Sequence, residues 1–343
     1  MYFELLQNQE AGREKAMDKL MEVNNLKTIF RLNGKVLTAI QDINFEIYPG
    51  EVLGVVGESG SGKSLTMKSI MGILPENAMI EKGKVLYKGV NILNLKEREK
   101  RKLRGKEISM IFQDPMTALN PLRTVEYHLK EVISRHQGGG KLYSREKAIE
   151  MLKKVGIRNA EERMKQYPHE FSGGMRQRVL IAMALSCEPS LLIADEPVTA
   201  LDVTTQVQIL NLLKKLQTEH QMATILITHD LGVTSDMCTR VIIMYGGHIM
   251  EEGTKNQIIF HPNHPYTRAL LRSSMDREKG VAKRLYTIEG YPPSLYEHLQ
   301  GCPFEKRCRF ASEKCRNEVP EYQYYEDGHR TLCHFRGEKL DER

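Results

Sequence analysis

The chain has 343 residues, 41% of them apolar and 27% charged, with a formal net charge of +6, which describes an ordinary globular protein with a real core: one large domain plus an appendage, or two domains. No stretch approaches the ~18 uninterrupted apolar residues of a membrane-spanning helix, and no signal sequence opens the chain, so a cytoplasmic location is expected. Basic residues occur only in short runs such as Lys96 to Lys106, not gathered into the face that a nucleic-acid partner needs, so no nucleic acid is expected.

Residues 1–20, ending in the charged stretch Glu10 to Lys19, read as a polar leader. The first strand begins near Met21. Alternation and β-branched residues predict further strands at Val36–Ile47, Glu51–Val56, Gly83–Tyr87, Ile108–Phe112, Leu191–Ala194, Thr224–Thr228 and Val241–Met244. Apolar runs such as LLIA and TILIT, with helical patterns between them, predict buried, mostly parallel strands of an α/β sheet. Residues 115–188 are largely helical in pattern, broken by His136-Gln137-Gly138-Gly139-Gly140 and by Tyr167-Pro168, and read as a helical subdomain inserted into a sheet domain spanning 21–255. After about Gly253 the sheet pattern ends, and residues 256–343 form an extension rich first in Pro, His and Tyr, then in Cys.

Three motifs carry chemistry. The strand ending at Val56 runs into Gly57-Glu58-Ser59-Gly60-Ser61-Gly62-Lys63-Ser64, and a helix pattern follows. This is a G-x-x-x-x-G-K-S loop in its strand–loop–helix setting. Its glycines let successive backbone N–H groups turn inward onto an anion, and the helix start adds partial positive charge. Lys63 is expected to reach the outer phosphates and Ser64 to ligate magnesium. Leu191-Leu192-Ile193-Ala194-Asp195-Glu196 is an apolar strand ending in two carboxylates. Asp195 suits an indirect hold on the magnesium, and Glu196 is placed to polarise an attacking water. Ser172-Gly173-Gly174 opens a helix: Ser172 is a natural N-cap, and the two glycines let a ligand approach the backbone.

The tail reads Cys302-x5-Cys308-x6-Cys315-x17-Cys333. A reducing compartment disfavours disulfides, and four thiolates fit tetrahedral zinc or a cubane iron–sulfur cluster, the wide gaps tilting toward the cluster. Cys187 and Cys238 have no such spacing and read as small core residues.

The order of Gly57–Ser64, Gln113, Ser172-Gly173-Gly174, Asp195-Glu196, Leu201-Asp202 and His229 resembles the nucleotide-binding subunit of an ABC transporter, over roughly residues 21–335. Gln113-Asp114-Pro115-Met116-Thr117-Ala118-Leu119-Asn120-Pro121, Met175-Arg176-Gln177-Arg178, His264-Pro265-Tyr266-Thr267 and Gly290-Tyr291-Pro292-Pro293 narrow it to the motor subunits of dipeptide and oligopeptide importers, of the D type by Met116 and Met175. That family also includes importers of nickel and other small solutes. The resemblance implies ATP and Mg2+ at Gly57, Ser59, Gly60, Ser61, Gly62, Lys63 and Ser64, with Gln113 touching the magnesium and reporting to the membrane domain. His229 is implied on the γ-phosphate, Asp202 at a dimer seam, and Ser172-Gly173-Gly174 on the partner's ATP. The adenine-stacking aromatic is not clearly placed; Phe30 is the nearest candidate, beside a plain strand-core reading. For Cys302, Cys308, Cys315 and Cys333 the resemblance implies a [4Fe–4S] cluster, Zn2+ being the alternative. The implied partners are a second, non-identical motor, two membrane permease subunits and, indirectly, an extracellular solute-binding protein, which would put the chain at the cytoplasmic face of the membrane. Two rivals are weaker. A DNA-repair or translation ATPase of this class carries a long coiled-coil insertion or two cassettes, neither present. A regulatory subunit with a dead site is at odds with intact Lys63, Asp195, Glu196 and His229.

Overall fold

Alternating apolar residues and a tight turn build the first hairpin. β1 (Met21–Leu32) and β2 (Lys35–Ile47) pair antiparallel, from Met21 opposite Ile47 to Leu32 opposite Lys35. Asn33 and Gly34 both have positive φ, the turn chemistry that matches the twist of paired strands. The computed structural model describes residues 19–199, 201–279, 286–297, 299–325 and 328–335; the expected leader lies almost wholly outside them. The five residues of β3 (Val52–Val56) are all buried, as a central strand requires, and α1 (Lys63–Met71) follows between Gly62 and Gly72, both left-handed. β4 (Ala78–Tyr87) and β5 (Val90–Asn91) complete a four-stranded antiparallel sheet in the order β2-β1-β4-β5. Among the described residues the chain divides into two compact units, and these elements belong to the one made of 19–47, 52–93 and 226–335.

The other unit, 48–51 and 94–225, holds the helical block. After α2 (Glu97–Leu103) comes β6 (Ile108–Ile111), then α3 (Val125–His136), α4 (Lys141–Lys154), the single turn α5 (Ala160–Arg163) and α6 (Gly173–Leu185). Thr124 starts α3 by accepting the Tyr127 N–H on its hydroxyl. α3 and α4 pack together, burying Leu129 and Ile133 on the first and Ala148 and Leu152 on the second. β7 (Leu191–Asp195) lies parallel to β6, with Ile108 opposite Leu191 and Ile111 opposite Ala194. α7 (Val203–His220) leads to β8 (Ala223–Thr228), whose residues are all buried and whose last three belong to the first unit.

From there α8 (Leu231–Met237) precedes β9 (Arg240–Tyr245), parallel to β3, and β10 (His248–Thr254), antiparallel to β9. α9 (Lys255–Phe260), α10 (Pro265–Lys279), α11 (Glu313–Asn317), β11 (Tyr322–Tyr324) and β12 (Arg330–Leu332) end the described chain. The sheet does not stop near Gly253: β12 pairs antiparallel with β10, Glu251 opposite Thr331 and Glu252 opposite Arg330, and β11 adds beyond it. These three-residue strands are short and polar, so they carry little periodic signal. They are held by buried polar pairs instead. Glu252 takes Arg240 (2.6 Å) and Arg330, and fully buried Glu251 takes His329 Nε2 (2.8 Å). Parallel pairing holds for β3–β9 and β6–β7, while the remaining registered pairs are antiparallel, so the mostly parallel expectation describes only the most buried strands.

The metal centre expected at Cys302, Cys308, Cys315 and Cys333 is corrected. Among the described residues no group of three or more His, Cys, Asp or Glu side chains is arranged to hold a metal ion, which overturns both the [4Fe–4S] and the Zn2+ expectation. All four are free thiols. Burial pushes the Cys302 and Cys308 thiols up to about 12. They pack the tail as small side chains, and Cys302 N–H donates to the Cys315 carbonyl (2.8 Å). Among the described residues no helix is long and apolar enough to cross a membrane.

Candidate nucleotide site

The phosphate loop is shaped by what a side chain would hit. A Cβ on Gly57 would lie 2.1 Å from the carbonyl oxygen of Met244, so only glycine lets the chain leave β3 here. Gly62 has φ 101°, and this left-handed step turns the loop into α1. Ser61 is buried, Ser64 half-buried, and Ser59 and Gly60 are exposed at the crest. Lys63 is 4% exposed and donates from Nζ to the carbonyls of Gly57 (2.8 Å) and Glu58 (2.8 Å) and to Ser61 Oγ (3.3 Å). An ammonium folded onto neutral oxygens at a helix start fits a phosphate, whose charged oxygens are stronger acceptors than carbonyls.

The carboxylates belong to the other unit. Asp195 ends β7 buried, and Glu196 follows with φ 45°. A left-handed glutamate costs about 1–3 kcal/mol, and the surroundings hold it there. Glu196 Oε2 accepts from Thr199 Oγ1 (2.9 Å) and from Gln113 Nε2 (3.0 Å). Two residues singled out separately in the sequence, 83 positions apart, therefore touch.

In the same unit Ser172 caps α6, its hydroxyl accepting the Met175 N–H (3.3 Å). Asp202 caps α7 and takes the Thr205 N–H (2.9 Å) and hydroxyl (2.7 Å), and those bonds from Thr205 hold its carboxyl below the usual carboxylate range. A Cβ on Gly174 would sit 2.5 Å from Thr205 Cγ2, and one on Gly173 3.3 Å from Leu201 Cδ2. The two helix starts are thus packed against each other. His229 is exposed just past the end of β8. Phe30 lies half-buried on β1, opposite Leu37 and Ala78, on the face away from buried Ile29.

Sequence reasoning missed the surroundings of Glu58. Its carboxylate is held by Arg307 (2.6 and 3.1 Å), and its N–H donates to the Tyr266 hydroxyl (3.0 Å). Tyr266 stands in one of the quoted motifs and could have drawn attention; nothing local marks Arg307.

An ABC transporter family profile matches residues 40–199, and one for the C-terminal region of oligopeptide/dipeptide transporters matches 250–315. The oligopeptide transport ATP-binding protein of Haemophilus influenzae is 47% identical over 325 residues, covering 95% of this chain and 100% of its own. The dipeptide transport ATP-binding protein of Bacillus subtilis is 46% identical over 326 residues, covering 95% and 97%. This chain belongs to the oligopeptide/dipeptide ABC transporter family. A solved dimer of an ATP-binding cassette in a post-hydrolysis state, bound to ADP and Pi, superposes with a TM-score of 0.62 at 29% identity, covering 68% of this chain and 98% of that one. The chain is accordingly an ABC ATPase in fold and family.

Proposed function

We propose that this chain hydrolyses ATP to power the import of dipeptides or oligopeptides through separately encoded membrane permease subunits. The observation that carries the catalytic part is Glu196, held left-handed with its carboxylate fixed by Gln113 and Thr199. A fixed carboxylate at a strand end orients and polarises a water for in-line attack. The N–H groups of Gly57, Ser59, Gly60, Ser61 and Gly62 bind the phosphates, and Lys63 leaves its carbonyl partners for the outer ones. His229 donates to the γ-phosphate, and Phe30 stacks on adenine. Ser64, Gln113 and Asp195 are the residues that would hold Mg2+, which supplies charge neutralisation between the phosphates when bound. Ser172, Gly173 and Gly174 serve the partner's nucleotide, and Asp202 lies at the dimer seam.

The solute class is supported by the match at 250–315 and by the oligopeptide and dipeptide transport roles of the relatives. The partners are a second, non-identical motor, two permease subunits and an extracellular solute-binding protein, with this chain on the cytoplasmic face. The test is reconstitution of the whole transporter in vesicles, with ATP hydrolysis followed as loaded binding protein is added. Stimulation by a peptide-loaded binding protein is expected; stimulation by a nickel-loaded one alone would replace the peptide reading.

A further inference from the structure

Glu58 is out of place by charge. An ionised carboxylate in a loop that cradles phosphates repels its own ligand unless it is neutralised. Its partner comes from far along the chain. Arg307, at the end of the one-turn helix Glu305–Arg307, has its side chain 5% exposed and all five N–H donors engaged. Nη1 donates to Glu58 Oε2 (2.6 Å) and to the Tyr245 hydroxyl (3.3 Å). Nη2 donates to Glu58 Oε1 (3.1 Å) and the Ile288 carbonyl (3.1 Å), and Nε to the Glu289 carbonyl (3.0 Å). The two parallel bonds to one carboxylate make a fork that lysine cannot form.

The rest of Glu58 is held as well. Its N–H donates to the hydroxyl of Tyr266, which is fully buried, and its carbonyl accepts Lys63 Nζ (2.8 Å) and the Ser61 N–H (3.2 Å). Tyr266 is wedged beside Tyr245 and Phe304, with ring centroids 4.7 and 5.2 Å away. Every polar group of Glu58 is therefore committed: two to residues of the C-terminal segment, one to the phosphate-binding lysine itself.

We propose that Arg307 is a positioning residue for nucleotide binding, which neutralises Glu58 and so sets both the field of the phosphate loop and the seat of Lys63. This rests on the ATP-binding reading of that loop. A contact that only docked the tail would serve equally well on any strand; this one ends on the residue whose carbonyl holds Lys63, and it cancels the loop's one negative side chain. The C-terminal segment thereby becomes part of the ATP site.

The test is a double-mutant cycle on the purified full-length chain, reading the affinity of a fluorescent ATP analogue with magnesium at low and physiological salt. Arg307→Ala is expected to weaken binding about tenfold, more at low salt, by exposing the phosphates to Glu58. Adding Glu58→Gln to it should recover most of that loss, with Glu58→Gln alone as the reference of the cycle. In the reconstituted transporter Arg307→Ala should raise KM for ATP well beyond any fall in kcat. Wild-type affinity in Arg307→Ala overturns the inference. So does a double variant that binds as weakly as Arg307→Ala, because a purely structural latch stays broken when Glu58 loses its charge. If Arg307→Ala does not fold, Arg307→Gln takes its place in the same cycle. A wild-type chain that binds no ATP analogue overturns the nucleotide reading along with this one.

Discussion

Glu196 is constrained in both its backbone and its side chain. Its left-handed φ is offset by the bonds from Gln113 and Thr199, and a glutamine there preserves size and one acceptor while losing the charge. Glu196→Gln is expected to leave ATP binding intact and cut turnover by roughly 10²–10⁴ in the assembled transporter, measured by phosphate release. Near-normal hydrolysis would remove Glu196 from its role. His264 makes a second residue-scale prediction, on acid stability. Its ring is buried, Nδ1 accepts the Tyr266 N–H (3.0 Å), and burial pushes the imidazole down to about 4. The unfolded chain, with an ordinary histidine near 6.5, therefore binds the extra proton between those values while the folded chain does not. Stability from this group is present above pH 6.5 and lost as pH falls toward 4, by ~3 kcal/mol in total. Unfolding midpoints across that window should fall with acid, and His264→Asn should flatten part of the slope.

At the scale of elements, the starts of α6 and α7 form one joint. Thr205 is clamped by Asp202 through its hydroxyl, and its methyl fills the space that a side chain on Gly174 would need. Gly174→Ala forces the threonine off its cap or the helices apart, and is expected to destabilise the chain by about 1–3 kcal/mol in denaturant unfolding. Thr205→Ser, which removes the methyl and keeps the hydroxyl, should recover most of that loss. No recovery would mean that the joint does not depend on this contact. The same joint couples the expected signature helix to the expected seam residue within one chain, so strain at Gly174 would be felt at Asp202.

At the scale of the whole molecule, the proposed function sets the phosphate loop of one chain and the Ser172-Gly173-Gly174 helix start of another on each nucleotide, so a pair of chains is expected to be needed for hydrolysis. On the proposed reading that partner is a non-identical motor rather than a second copy. The isolated chain is expected to sediment mainly as a monomer and to hydrolyse ATP slowly; mixing in the cognate second motor and the permeases should raise turnover and make it respond to loaded binding protein. Cooperative hydrolysis by this chain alone, unaffected by the second motor, would count against the pairing.

Much of this was legible in the residues taken in order. The Gly57–Ser64 loop, the LLIA run ending in Asp195-Glu196 and the Ser172 cap are local: a few neighbouring residues set the backbone, and the backbone sets the chemistry. The central strands fell where their apolar runs put them. What the sequence could not supply were partners chosen by packing. The pairing of β12 with β10 rests on Glu251, Glu252, His329 and Arg330, polar residues that carry no strand signal of their own until one strand buries them against another. The four tail cysteines carried a spacing that fits a metal, but spacing is measured along the chain and ligand geometry in space, and among the described residues no such geometry forms. Gln113 reaches Glu196, and Arg307 reaches Glu58, across 83 and 249 positions. Residue order determined the motifs because short-range sterics and hydrogen bonding decide them; which distant charge neutralises which was left to the tertiary structure, because only burial makes such a pairing obligatory.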